Sequence, residues 1–270
     1  MATHPVRLIH ILTPIDYVRY REFEFAFESV VKYVTTAQNV LDIGSPKLLS
    51  LSLAANMRSV VVHSIDILQA EADEAKENAG RLRCENLLPV VQDARCLGYA
   101  DNSFDLIVSL SVFEHIAPEK GGELPAAREL GRVLAPKGIA VLTVPFSRTY
   151  SAEYQVGQVY ERVSSHEEPI FFQRFYDYDL LMHNIVLASG LDLLYLGFIE
   201  ERFFYRDPRK RMAHYVNSSP RQNALFGLFF PILSRVFLSA PKPLDSCKKP
   251  YIACLVLRKN SQLCNNATSH

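Results

Sequence analysis

The chain has 270 residues, 49% of them hydrophobic and 21% charged, with a formal net charge of zero. That composition excludes a disordered or fibrous chain, and the length suits one large α/β domain or one domain with an appendage. The zero balance hides an asymmetry: residues 1–200 hold 17 Lys/Arg and 26 Asp/Glu, whereas residues 201–270 hold 12 and 3. A basic last quarter either faces something anionic or complements the rest of the fold.

Five cysteines, at positions 84, 96, 247, 254 and 264, include no Cys-x-x-Cys pair. Neither a zinc site nor a disulfide framework is expected, so no metal is assigned and reduced thiols in the cytoplasm are the default. The N-terminal residues lack the apolar core and cleavage site of a secretory signal. No apolar run reaches the roughly 20 residues of a membrane-spanning helix.

Over residues 14–37, Tyr17, Tyr20, Phe23, Phe27, Val30 and Val34 recur at helical spacing. They predict an amphipathic helix that packs on a sheet edge, or caps a site with Tyr17 or Tyr20 touching ligand. Residues 39–43 read as a buried strand followed by a helix over 46–56. Ser45 is the predicted N-cap and Pro46 the first helical residue. Asp42 then stands at the carboxyl end of a strand, where open α/β sheets bind ligands. The next strand, 60–65, ends in Asp66, and an acid there can accept both hydroxyls of a ribose. A nucleoside-containing cofactor between Asp42 and Asp66 is the first functional expectation.

The pattern continues with a helix over 68–83, a strand over 87–92, a turn at 101–103 and a strand over 104–110. A helix over 121–134, the turn Pro136-Lys-Gly138 and a strand over 139–144 follow. Strand–helix alternation with short links predicts a mostly parallel sheet with helices on both faces. Periodicity is lost over 145–176, where tyrosines and phenylalanines crowd an otherwise polar segment, the mark of a functional or mobile loop. A helix over 177–189 stops at Gly190, and a strand over 191–199 follows. Residues 206–221 are basic. Leu225, Leu228, Phe229, Ile232, Leu233, Val236 and Phe237 keep helical spacing, interrupted at Pro231. This stretch reads as a lid, a homodimer interface or a surface for peripheral membrane contact over 206–240. A strand over 251–257 and a polar tail close the chain. The expected division is a helical cap (1–37), a main domain (38–200 with 249–259), an insertion (201–248) and a disordered tail (260–270).

Six segments in order carry a resemblance. They are Val-Leu-Asp-Ile-Gly (40–44), Asp66, Gln-Asp-Ala (92–94), Asn-Ser-Phe-Asp-Leu-Ile-Val-Ser (102–109), Val-Phe-Glu-His-Ile (112–116) and Arg-Val-Leu-Ala-Pro-Lys-Gly (132–138). Together they resemble the class I S-adenosylmethionine-dependent methyltransferases, nearest to the branch acting on small molecules and lipids. The resemblance implies a Rossmann-like, seven-stranded, mostly parallel sheet with an antiparallel last strand. It implies S-adenosylmethionine as cofactor. Asp42 and Gly44 would lie at its methionine end, Asp66 at its ribose, Asp93 and Ala94 at its adenine, and Ser109 and Leu110 under the sulfonium, with Ser45 and Ile67 also among the cofactor-binding residues. Glu114 and His115 would lie at the mouth. The chain departs from the family's acid-x-Gly-x-Gly-x-Gly motif: Pro46 and Leu48 stand where the later glycines fall, removing a donor and adding bulk.

Methyl transfer from a sulfonium needs alignment and exclusion of water more than acid–base power. His115 and His166 are the candidate bases for an oxygen nucleophile; for His115 a plain loop histidine is the rival. No Asn-Pro-Pro-Tyr follows the fourth strand, which favours an oxygen or carbon acceptor, on a small or lipid-linked molecule. No nucleic-acid signature appears. A non-catalytic, methyltransferase-like scaffold stays open as the alternative. A nicotinamide-dependent oxidoreductase would need a Gly-x-Gly-x-x-Gly turn that the chain lacks.

Overall fold

A computed structural model describes residues 17–34, 36–163, 168–202 and 229–261. Helix α1 (Arg19–Tyr33) precedes strand β1 (Asn39–Ile43), α2 (Lys47–Asn56), β2 (Val61–Asp66), α3 (Gln69–Leu82) and β3 (Leu87–Val91). Then come β4 (Phe104–Leu110), α4 (Leu124–Val133) and β5 (Leu134–Pro145). The sheet is completed by β10 (Asp192–Glu200) and β11 (Pro250–Arg258), giving the order β10-β11-β5-β4-β1-β2-β3. All neighbours from β3 to β5 are parallel, and β11 runs antiparallel to both β5 and β10. This is the Rossmann-like sheet expected from the sequence.

Residues alternate between two cores, as a period of two demands. Val40, Val62, Leu106, Val108 and Val141 face α1, α2 and α3. Leu41, Ile43, Ile107, Ala140 and Leu142 face α4 and the helix after residue 177. A strand buried on both faces reads as a continuous apolar run, which is why β1, β4 and β5 stand out in the sequence. Because β1 pairs with β2 on one side and β4 on the other, the chain switches direction across the sheet there. A crevice opens at the strands' carboxyl ends at such a switch point.

Three local expectations change. Helix α2 begins at Lys47, with Pro46 at ψ 129° before it and no side-chain cap; Ser45 is therefore not the N-cap. Its Oγ instead accepts a hydrogen bond from the Leu110 amide at 2.9 Å, tying the loop to the tip of β4. The 145–176 segment is not structureless. It folds into an arm in which β6 (Ser151–Gln155) pairs with β9 (Ile170–Phe175), and β7 (Gln158–Val159) with β8 (Arg162–Val163). Long-range polar contacts hold the arm. Arg174 is fully buried against Glu123 and donates to the carbonyls of Ile116 (2.6 Å) and Pro118 (2.8 Å). Pro231 lies in the first turn of the helix Phe230–Phe237 (α6), so it starts that helix rather than interrupting it. The helix α5 (Tyr178–Leu181) continues through a π-helical turn, Met182–Leu187, to Gly190 at φ +65°.

Helix α6 packs on α1 through Tyr17, which meets the rings of Phe230 and Phe237. Its other side exposes Phe229, Ile232 and Val236. The basic run 206–221 and the tail 262–270 lie outside the described residues. No described helix is long and apolar enough to cross a membrane.

Candidate active site

A cleft of about 1350 Å³ opens at the carboxyl ends of β1, β2 and β3 and runs under the arm. Gly44, Ser45, Asp66, Ile67, Asp93, Ala94 and His115 line it, so seven of the residues expected at a site share one wall. Asp42, Ser109 and Leu110 do not line it. They sit behind the wall: Ser109 Oγ donates to the Ile43 carbonyl and Leu110 N donates to Ser45. His166 lies outside the described residues.

Gly44 is in the left-handed region, at φ +58°, and a Cβ there would stand 3.1 Å from Cγ1 of Val112. Both facts require glycine, since a side chain would be strained and would push the β4 loop away. Asp42 is fully buried beneath this turn, and neither carboxylate oxygen has a hydrogen-bond partner among the described residues. Burial pushes its carboxyl up to about 7, and the nearby Ser45 and Ser50 hydroxyls only temper the effect. Asp66 Oδ1 accepts from the Leu68 amide at 2.9 Å. Burial raises its carboxyl too, with Glu71 adding to the rise.

The structure also shows what the sequence did not. Lys47 reaches across to Glu71 and, at 2.7 Å, to Glu74 on α3, so an ion-pair strap lies along the β2–α3 side of the cleft. Asp93 is gripped by Arg95, with Nε 3.0 Å from each oxygen and Nη2 2.6 Å from Oδ2. The guanidinium holds this carboxyl below its ordinary range. Arg95 Nη1 also donates to the Ala117 carbonyl across the cleft at 3.2 Å.

From α1 it is Arg19, not Tyr17 or Tyr20, that lines the cleft. Its Nη1 donates to Glu22 at 2.9 Å and to the Leu110 carbonyl at 3.2 Å. Glu22 is buried and accepts from the hydroxyls of Ser111 and Thr143, both at 2.5 Å, at the tips of β4 and β5. In the sequence Arg19 and Glu22 look like an ordinary i,i+3 surface pair; no local signal marks them.

At the mouth, His115 Nδ1–H donates to the Phe172 carbonyl at 2.9 Å, which leaves the Nε2 lone pair available. The ring packs against Tyr160 and Phe172 of the arm. Burial drives its pKa down to about 4, so the imidazole is neutral near pH 7. Glu114 beside it is buried and pushed up to about 8, with Oε1 3.7 Å from His115 Nε2. Among the described residues, no three His, Cys, Asp or Glu are grouped to hold a metal, and Cys84, Cys96, Cys247 and Cys254 are free thiols.

Residues 41–142 match the model of a methyltransferase domain family. Solved structures with this fold include coclaurine N-methyltransferase bound to N-methylheliamine and SAH. It is 12% identical over 95% of this chain and 79% of that one, with a TM-score of 0.61. A putative sarcosine dimethylglycine methyltransferase from Galdieria sulphuraria is 19% identical, over 90% and 86%, with a TM-score of 0.54. The cyclase SpnF is 17% identical, over 88% and 80%, with a TM-score of 0.55. No match was found among curated proteins.

Proposed function

We propose that this chain, whose residues 41–142 carry the methyltransferase domain of the class I S-adenosylmethionine-dependent enzymes, transfers a methyl group to an oxygen or carbon of a small or lipid-linked acceptor. One observation carries the reading: the left-handed Gly44 at the tip of β1 and the acid Asp66 at the tip of β2 flank one cleft, beside an orphaned buried Asp42. That arrangement fits a nucleoside cofactor. Asp66 would hold the ribose hydroxyls, Ile67 and Ala94 would flank the base, and Asp93 would face its amino group while sharing its oxygens with Arg95. The cofactor supplies an activated methyl group. The chain supplies alignment and dryness: the arm, through Tyr160, walls the mouth on the side of His115. With a pKa near 4, His115 Nε2 is a hydrogen-bond acceptor that orients a hydroxyl rather than a strong base.

The name of one fold relative, coclaurine N-methyltransferase, concerns nitrogen methylation, but at such identity the likeness carries the fold and not the acceptor. The outward face of α6 and the basic run before it would serve as a lid or as a surface for lipid-linked acceptors. A second reading, a non-catalytic scaffold, is favoured by the Lys47 strap and by the loss of glycine at positions 46 and 48. The test is transfer of labelled methyl from S-adenosylmethionine to pooled phenols, carboxylic acids, amines and isoprenoid lipids. Label recovered in a phenol, carboxylic acid or lipid pool supports the proposal. Label confined to amines overturns the acceptor assignment, and no turnover with intact cofactor binding favours the scaffold.

A further inference from the structure

A neutral hydroxyl that accepts a methyl group must give up its proton, and His115, with a pKa of about 4, is a weak receiver for it. Another polar group stands on the cleft wall at the tip of β4. Ser111 lines the cleft, is 8% exposed, and is fixed there by its amide, which donates to the Thr143 carbonyl at 2.9 Å. Its backbone is left-handed, at φ +52°, where any side chain beyond glycine is strained. The serine therefore stands here at a cost to the backbone that glycine would avoid.

Its hydroxyl is turned inward. Ser111 Oγ donates to Oε1 of Glu22 on α1 at 2.5 Å, 89 positions away in the chain. Glu22 is fully buried and is not on the cleft wall, so Ser111 is the link between that carboxylate and the cleft. Thr143 donates to the same oxygen from the core, and Arg19 pairs with the other oxygen at 2.9 Å, so the carboxylate is held at both ends. A serine that donates its one proton to a carboxylate keeps its lone pairs for a donor in the cleft. The rings of His115 and Tyr160, packed edge to face, stand on the same wall and offer apolar surface to an aromatic ring.

We infer that Ser111 and Glu22 form a proton relay, and that the acceptor is therefore an un-ionised aromatic hydroxyl. As the acceptor oxygen bonds the methyl carbon, the carbon–sulfur bond breaks and its electron pair stays on sulfur. The acceptor's proton passes to Ser111 Oγ, and the serine's own proton passes to Glu22 Oε1. The positive charge lost at sulfur thus leaves as that proton, which later returns to water. Ser111 touches the acceptor, and Glu22 acts through it. A carboxylate acceptor would bring no proton and would leave the relay without a use. The inference rests on the methyl-transfer reading above and names the acceptor class for it.

The test uses the full-length wild type, Ser111→Gly and Glu22→Gln. Each is titrated with S-adenosylhomocysteine by calorimetry. Each is then assayed at pH 7 for transfer of labelled methyl from S-adenosylmethionine to a panel of phenols, from phenol itself, which is neutral there, to pentafluorophenol, which is ionised. Wild type should methylate the panel. Both variants should bind S-adenosylhomocysteine with wild-type affinity, which shows that they are folded. Both should lose about 100- to 10,000-fold in transfer to neutral phenols, the range of a general base. Both should methylate pentafluorophenol at the wild-type rate, because it has no proton to give. Raising the pH should shrink the deficit first for the more acidic phenols. A deficit equal across the panel, as a merely structural role would give, overturns the relay. So does near-wild-type transfer to neutral phenols by Ser111→Gly, which alone decides the matter if Glu22→Gln loses ligand binding. If wild type binds S-adenosylhomocysteine but methylates no phenol, the relay is overturned and the cofactor site stands. If wild type neither binds nor transfers, the methyl-transfer reading fails and takes the relay with it.

Discussion

Glu114 gives the protein a pH-dependent stability that a single isosteric substitution should remove. Its side chain is 1% exposed on the 3-10 turn Phe113–His115, and Oε2 has no hydrogen-bond partner among the described residues. Burial lifts its carboxyl from 4.5 to about 8, against the pull of Arg19 and Arg174. The folded state thus keeps a proton that the unfolded chain releases above its own, lower pKa. Stability from this group is complete below about pH 4.5 and drains away as pH rises through about 8. At ~1.4 kcal/mol per pH unit over the rise from 4.5 to about 8, the loss is on the order of 5 kcal/mol. Glu114→Gln keeps the shape and has no proton to lose. Urea unfolding of both proteins from pH 5 to pH 8.5 should show the variant gaining steadily on wild type, by several kcal/mol at the alkaline end. Asp42 and His115 titrate in both proteins and drop out of the difference. Parallel curves would refute the reasoning, because they would mean that Glu114 is solvated or ion-paired in the fold.

Arg174→Met should cost about 3–5 kcal/mol in denaturant unfolding, since it takes away the ion-pair partner of the buried Glu123 and leaves Asn184 as its side-chain donor among the described residues; loss under 1 kcal/mol would show that the pair is dispensable. Gly131→Ala should destabilise the fold, because a Cβ on α4 would stand 1.9 Å from the Ser189 carbonyl oxygen; an unchanged melting temperature would contradict that contact. Gly44→Ala, strained at φ +58° and pressed on Val112, should weaken S-adenosylhomocysteine binding at least tenfold in calorimetry while costing about 1–2 kcal/mol of stability. In native protein, Cys96 should react with a thiol reagent well before Cys84, Cys247 and Cys254, which are buried; mass-spectrometric mapping of the first adduct among these four decides it.

Much of this was legible in the chain because the central strands are buried on both faces. Val40 to Ile43, Phe104 to Leu110 and Ile139 to Val144 carry unbroken apolar runs. Asp66 and Asp93 ended their strands where short links forced them to, so their place at the cleft could be anticipated. The arm could not. Its ladders are two to six residues long, and what fixes them is Arg174 reaching Glu123, 51 positions away. Arg19 was illegible for the same reason: its meaning comes from Leu110, 91 residues on, and from hydroxyls that satisfy Glu22. Ser45 was misread as a cap because its hydroxyl prefers a partner on a neighbouring strand to the helix beside it.

The most direct test of the account is titration of the full-length protein with S-adenosylhomocysteine beside an Asp66→Ala variant. The account predicts a one-to-one complex of micromolar affinity that the variant loses, because the proposed reading has Asp66, the acid at the β2 tip, hold the ribose hydroxyls. No heat of binding with wild type, or equal affinity with the variant, would contradict it.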